Sequence, residues 1–88
     1  MKISTEFALR EVAGNYIVVP FGENVVSFNA MITLNETGAF LWKQLEEERT
    51  EQELLMAMLE EYDIDNKTAK ADIAKFINKL DAAGILKS

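Results

Sequence analysis

Few side chains in this sequence could take part in chemistry, and most of those are carboxylates. The 88 residues include no cysteine and no histidine. Thiolate nucleophiles and disulfides are therefore excluded, as are the commonest general base and the commonest transition-metal ligand. The main carboxylate cluster, Glu46-Glu47-Glu48, falls in a predicted solvent-exposed linker, where a solubilising turn is the simple interpretation. We therefore predict no catalytic residue and no enzyme.

Metal and phosphate sites are poorly supported by the spacing of the remaining residues. Asp63-x-Asp65 has the spacing that begins a calcium loop, but the glycine and distal glutamate of an EF-hand are missing. The four glycines are spread along the chain and form no phosphate-binding motif. We expect neither a metal nor a cofactor.

The net charge of −6 disfavours general binding to nucleic acid, whose phosphates repel an acidic protein. The charge is unevenly distributed. Seven glutamates between Glu46 and Glu61 are opposed by Arg49 alone, whereas the stretch from Lys67 to Lys79 has four lysines and only Asp72. The sequence thus predicts either an acidic face and a mildly basic last helix, or simply two solvated helix surfaces.

Length and hydropathy indicate one soluble domain over residues 1–88. Hydrophobic residues make up 49% of the chain, enough to form a folded core. No apolar run approaches the roughly 18 residues that span a bilayer. The segment Met1–Glu6 is polar and acidic, unlike a signal peptide. We expect a cytoplasmic protein with no membrane contact.

The first third of the sequence predicts strands. Phe7–Ala13 is a plausible first strand, followed by a turn at Gly14-Asn15 and a β-branched strand at Tyr16–Val19. From Val26 to Leu34 every second residue is apolar, which is typical of an extended segment packed on one face. A break near residue 30 would leave Met31–Leu34 as the regular third strand.

Three helices are predicted after these strands. Asn35 is a suitable N-cap for a helix over about Glu36–Leu45, with Phe40, Leu41, Trp42 and Leu45 as core candidates. Thr50 and Glu53 form a capping box for the second helix. The residues expected to share its apolar face are Leu54, Leu55, Met58, Leu59 and Tyr62. Met56 and Met58 are expected in the core or at its margin.

The third helix is expected to be capped by Asp65 or Asn66 and to end at Gly84. Apolar residues recur along it at helical spacing: Ala69, Ile73, Phe76, Ile77, Leu80 and Ala83. Three strands followed by three helices give an α+β domain with a winged helix-turn-helix-like helical half. The third strand, Met31–Leu34, has neither charge nor proline to protect an exposed edge, so it can bind another strand.

A winged-helix DNA-binding regulator is an alternative function. In such proteins a late helix enters the major groove, and lysines there suit phosphates. Base recognition favours arginine, asparagine or glutamine, and the two arginines, Arg10 and Arg49, lie outside the last helix. A continuous positive surface around that helix would favour this alternative.

Four parts of the sequence carry a family signature in order along the chain. They are Leu9–Gly14 with Tyr16–Pro20, Leu34–Trp42, Thr50–Leu54 with Glu61–Asp65, and Asp72–Leu86. Together they resemble the PqqD family of small peptide-binding proteins, also called precursor-peptide recognition elements, which serve the modification of ribosomally made peptides. The stretch LNETGAFLW and the later D-I-x-x-F-I-x-x-L are the more specific parts.

The resemblance implies a three-stranded antiparallel sheet on a three-helix core. It also implies a non-catalytic adaptor that binds the leader of a precursor peptide. In this family the leader pairs as an extra strand along the third strand, in the groove beside the third helix. By position, the backbone of Met31, Ile32 and Thr33 would pair with the leader. The groove candidates on the helix are Lys70, Ile73, Lys75, Phe76 and Ile77.

Within this resemblance, the role of the apolar helix residues and the oligomeric state stay open. Ile73, Phe76 and Ile77 are alternatively core residues, whereas the lysines suit acidic side chains of the leader. The implied second partner is a peptide-modifying enzyme, such as a radical S-adenosylmethionine enzyme. A homodimer that pairs its own edge strands is a further possibility, and it would hide the groove.

Overall fold

The computed structural model describes residues 1–4, 6–20 and 32–87, which form a three-stranded sheet, three helices and a pair of short terminal strands. The strands are β1 (Lys2–Ile3), β2 (Phe7–Val12), β3 (Asn15–Pro20), β4 (Ile32–Leu34) and β5 (Leu86–Lys87). The helices, which follow β4, are α1 (Glu36–Gln44), α2 (Glu51–Glu61) and α3 (Asn66–Ala82). Three antiparallel strands followed by three helices confirm the predicted α+β fold.

The sheet has the order β2-β3-β4, with both pairs antiparallel. Val12 is opposite Asn15, so the turn consists of Ala13 and Gly14. It therefore lies one residue earlier than the sequence predicts, and Asn15 belongs to the strand. Both turn residues have positive φ, 52° and 81°, which matches the right-handed twist of the flanking strands and suits glycine better than alanine.

The two terminal strands, β1 and β5, pair antiparallel and join the ends of the described chain. The N–H of Ile3 donates to the Leu45 carbonyl at 2.8 Å, and that of Ser4 donates to the Ile85 carbonyl at 2.7 Å. The sequence predicts that Ile85-Leu86 folds back onto the core, and Ile85 is fully buried. The sequence gives no sign that β1 and β5 pair, because a two-residue strand has no periodicity.

The core lies where the three helices meet the inner face of the sheet. Its most buried large side chains are Val18, Leu41, Trp42, Leu45, Leu54, Met58, Leu80 and Ile85. Phe40 is only half-buried and makes an edge-to-face contact with Tyr62, with ring centroids 5.4 Å apart. Burial, followed by the carboxylates of Glu36 and Glu61, raises the pKa of the Tyr62 hydroxyl.

Two residues of α2 differ from their predicted burial. Met56, expected in the core or at its margin, is 56% exposed, and Leu59 is 36% exposed. Leu54, Leu55 and Met58 point to the core. Met56 follows Leu55 by about 100° around the helix axis, so its side chain points away from the core.

Side-chain caps begin each of the three helices. Asn35 accepts from Gly38 N–H at 2.8 Å, and Asp65 accepts from Thr68 N–H at 2.7 Å. Thr50 and Glu53 form both bonds of the predicted capping box, at 2.9 and 3.1 Å. Asp65 is thus the cap of α3, and Asn66 is its first helical residue.

We expect Asn35→Ala to lower the free energy of unfolding by about 1 kcal/mol, because Gly38 N–H would lose its acceptor. Asn35→Asp is the matched control, since it keeps an acceptor at the positive end of the helix. Urea unfolding followed by circular dichroism measures the difference. Equal midpoints for Asn35→Ala and Asn35→Asp would contradict the capping role.

The cap at Asp65 predicts an acid-dependent loss of stability. Hydrogen bonds from the Thr68 side chain, and then from its backbone N–H, lower the pKa of Asp65. A carboxyl with a lowered folded-state pKa stabilises the fold above its unfolded-state pKa, about 3.9, and loses that contribution as the pH falls further. We expect the advantage of wild type over Asp65→Asn to shrink between about pH 5 and pH 2 in thermal unfolding. A constant difference in melting temperature between wild type and Asp65→Asn across that pH range would contradict this prediction.

Candidate functional site

A groove of about 400 Å³ separates β4 and the start of α1 from α3. We call it the strand–helix groove. The residues that line it are Thr33, Leu34, Asn35, Thr37, Gly38, Leu41, Asp72, Lys75, Phe76 and Lys79. The Asn35 cap turns the chain directly from β4 into α1, so one short segment supplies a whole wall of the groove.

The floor of the strand–helix groove is apolar and its α3 wall is charged. Leu34, Leu41 and Phe76 are buried in the core yet line the groove. Lys75 and Lys79 are exposed on the wall. The ion pairs among the described residues are Met1–Glu48 and Arg49–Glu47, so neither lysine is engaged in one. The groove can therefore receive an apolar side chain beside a carboxylate.

Gly38 allows the end of β4 and the start of α1 to lie close together on one side of the groove. A Cβ at this position would lie 3.2 Å from both Leu34 Cβ and Asn35 Oδ1. Both neighbours are part of the wall, so a larger residue would displace either the end of β4 or the helix cap. The close approach of these elements therefore depends on the absence of a side chain at residue 38.

The strand β4 forms one edge of the three-stranded sheet. Its residues pair with β3 in the register Val18↔Ile32, Ile17↔Thr33 and Tyr16↔Leu34. Within the described part of the chain, no strand pairs with its other side. Backbone N–H and C=O groups on an open edge can bind an additional strand. Thr33, which is exposed, places this edge beside the groove.

A second, smaller groove of about 170 Å³ lies between α2 and α3. We call it the helix–helix groove, and it is lined by Glu51, Gln52, Leu55, Lys70 and Ile73. The two grooves share no lining residue. Lys70 and Asp72 are about 200° apart around the helix axis, so they face different grooves.

The structure divides the predicted site residues among different places. Thr33, Lys75 and Phe76 line the strand–helix groove, whereas Ile32 is buried and does not line it. Lys70 and Ile73 line the helix–helix groove. Ile77 is half-buried and packs against the core. Met31 lies outside the described residues, as does most of the alternating segment Val26–Leu34.

Lys79 and Asp72 line the groove but are not among the groove residues predicted from the sequence. Asp72, Lys75, Phe76 and Lys79 follow the i, i+3, i+4, i+7 spacing of one helix face. That spacing is visible in the sequence, and it identifies the four residues as neighbours. The residues contributed by the start of α1, Thr37 and Gly38, have no comparable signal.

Comparison with known proteins supports the resemblance found in the sequence. The sequence model described as Coenzyme PQQ synthesis protein D (PqqD) matches residues 9–86. The chain belongs to the PqqD family. Among curated proteins, none matches the chain. No helix in the described part of the PqqD-family chain is long and apolar enough to cross a membrane.

A solved structure shares the fold of this PqqD-family chain. It is TbiB1 in complex with the TbiA(beta) leader peptide, with a TM-score of 0.77 and 23% sequence identity. The match covers 100% of this chain and 96% of that one. The predicted family membership and fold are confirmed.

Proposed function

We propose that the chain binds the leader of a ribosomally made precursor peptide by strand addition and presents it to a modifying enzyme. The observation that carries this proposal is the open edge of β4 beside the apolar, lysine-walled strand–helix groove. Membership in the PqqD family supports it. So does the fold shared with TbiB1, a protein solved with a leader peptide.

Strand addition uses two parts of the groove at once. The backbone of Ile32 and Thr33 supplies hydrogen bonds to the leader. The third residue predicted to pair with it, Met31, lies outside the described residues. Side chains alternate along a strand at about 3.4 Å per residue, so every second leader side chain faces α3. An apolar one fits over the buried floor formed by Leu34, Leu41 and Phe76. Backbone pairing gives affinity, and this floor gives specificity.

The charged wall selects the neighbouring leader residues. Lys75 and Lys79 are one helical turn apart and line the same groove, so together they favour a carboxylate on the leader. Asp72, half-buried one turn earlier, favours a hydrogen-bond donor or a cation. Lys70, Ile73 and Ile77 do not line this groove, and we do not assign them to leader contact.

Membership in the PqqD family and the open strand edge beside the groove support an adaptor role. In this proposal the chain supplies binding, and the chemistry belongs to a separate enzyme, for which a radical S-adenosylmethionine enzyme is one candidate. Residues 1–88 would act as one cytoplasmic domain. A homodimer formed through β4 would occupy the same edge, so leader and dimer would compete.

The test is selection of 12-residue peptides from a random library on the immobilised chain, followed by NMR titration of the ¹⁵N-labelled protein. We expect saturable shifts at Ile32–Leu34 and Asp72–Lys79. Two peptides should be compared, one methylated at the backbone nitrogens of its odd-numbered residues and one at those of its even-numbered residues. One of them should bind at least tenfold more weakly and the other nearly as well as the parent peptide, because only one edge of the added strand pairs with β4. Equal loss of affinity in the two methylated peptides, or amide shifts confined to other surfaces, would overturn strand addition.

A further inference from the structure

Two apolar side chains on α2 are exposed, Met56 on the side facing away from the core and Leu59 at the margin of the core-facing side. Met56 is 56% exposed and Leu59 is 36% exposed. They are three residues apart, and Gln52 lies four residues before Met56, so the three residues form one stripe on the helix. Gln52 also lines the helix–helix groove, whose apolar residues are Leu55 and Ile73. We call the stripe and this groove together the α2 face.

The charged residues that α2 contributes to this face and its surroundings are all acidic. α2 contains Glu51, Glu53, Glu60 and Glu61 and no basic residue. Glu51 lines the groove, and Glu60 is four residues after Met56. Among the described residues none of these glutamates takes part in an ion pair. Among the described residues, Lys70 is the one cation that lines the groove.

We propose that the α2 face binds a basic amphipathic helix of a partner protein. An apolar groove receives the apolar face of such a helix, with anchor residues spaced i, i+3, i+4 and i+7. Methionine suits this use because its unbranched side chain adapts to different surfaces. The surrounding glutamates attract lysine and arginine on the flanks of the bound helix. A second copy of this chain does not fit, because each α2 face would meet the glutamates of the other.

The α2 face is independent of the strand–helix groove. The two grooves lie on different sides of α3 and have no lining residue in common. A helix on the α2 face therefore leaves β4 and its groove accessible. The proposal does not depend on leader binding, although the arrangement permits both occupants to bind at once.

The probe for this proposal is a synthetic 18-residue amphipathic helix with leucines at i, i+3, i+4, i+7 spacing and lysines and arginines elsewhere. We expect it to bind the ¹⁵N-labelled full chain saturably, with amide shifts concentrated on Glu51–Glu61 and around Lys70. Affinity should fall as salt rises. The same peptide with glutamates in place of its basic residues should bind at least tenfold more weakly.

The variant Met56→Gln with Leu59→Gln isolates the apolar stripe and should weaken binding at least tenfold. Val12→Gln is the matched control, because Val12 on β2 is also 56% exposed and lies on another surface. It should leave affinity within about twofold of wild type. The proposal fails if the peptide does not bind, if the α2 variant binds as tightly as Val12→Gln, or if shifts spread over all acidic surfaces.

Discussion

Lys75→Glu combined with Lys79→Glu is expected to weaken binding of an acidic leader peptide by about tenfold. Both lysines line the strand–helix groove, are exposed, and take part in no ion pair among the described residues. An exposed ion pair contributes roughly 0.2–1 kcal/mol. Charge reversal removes two such attractions and replaces them with two repulsions of similar size, so the loss of binding free energy is about 0.8–4 kcal/mol. The middle of this range lies above the 1.4 kcal/mol that corresponds to about tenfold. Fluorescence anisotropy with a labelled acidic peptide measures the effect.

The matched control is Lys67→Glu with Lys70→Glu. It makes the same change in net charge on the same helix, but Lys70 lines the other groove and Lys67 lines neither. We expect a loss of about threefold or less from this pair, and partial rescue of the Lys75/Lys79 variant by a peptide with lysine in place of its acidic residue. If both pairs of substitutions weaken binding equally, long-range charge rather than groove contact determines recognition.

Trp42→Ala is expected to lower the free energy of unfolding by about 3–5 kcal/mol. Trp42 is 1% exposed and is the largest of the fully buried side chains on α1, so truncation removes apolar contacts and leaves a cavity. Typical domains have only about 5–15 kcal/mol of stability in total. Urea unfolding followed by far-ultraviolet circular dichroism measures the change. Fluorescence is unsuitable, since Trp42 is the only tryptophan.

Trp42→Phe is the control, because phenylalanine keeps most of the buried apolar volume. We expect it to lose less than half as much stability as Trp42→Ala. Loss of the same size in both variants would mean that a specific property of the indole, rather than core volume, accounts for the stability.

Local patterns predict the helices well because each cap depends on residues close in sequence. Asn35, Thr50 with Glu53, and Asp65 act on backbone groups within three positions, so their spacing alone identifies the helix starts. The terminal strand pair, in contrast, depends on a contact between residues distant in sequence. The β1–β5 pair brings Ile3 next to Leu86, and no local pattern records that pairing.

The residues that line each groove could be predicted from the sequence only in part. Periodicity locates the side of α3 that faces the core, through Ala69, Ile73, Phe76 and Leu80. Periodicity does not indicate which residues beside this buried face lie next to β4 and which lie next to α2. Lys70 and Lys79 are therefore equivalent in the sequence, although they line different grooves. Deciding between them requires the packing of the helices against the sheet.

The buried floor of the strand–helix groove limits how this chain can acquire a new peptide preference. Leu41 and Phe76 belong to the core, at 1% and 6% exposure, so an altered floor also alters the stability of the whole domain. Thr33, Lys75 and Lys79 are exposed, and substitution there costs the fold little. Divergence among related adaptors should therefore accumulate at this rim, and a library that randomises the rim alone should yield folded proteins with new specificities.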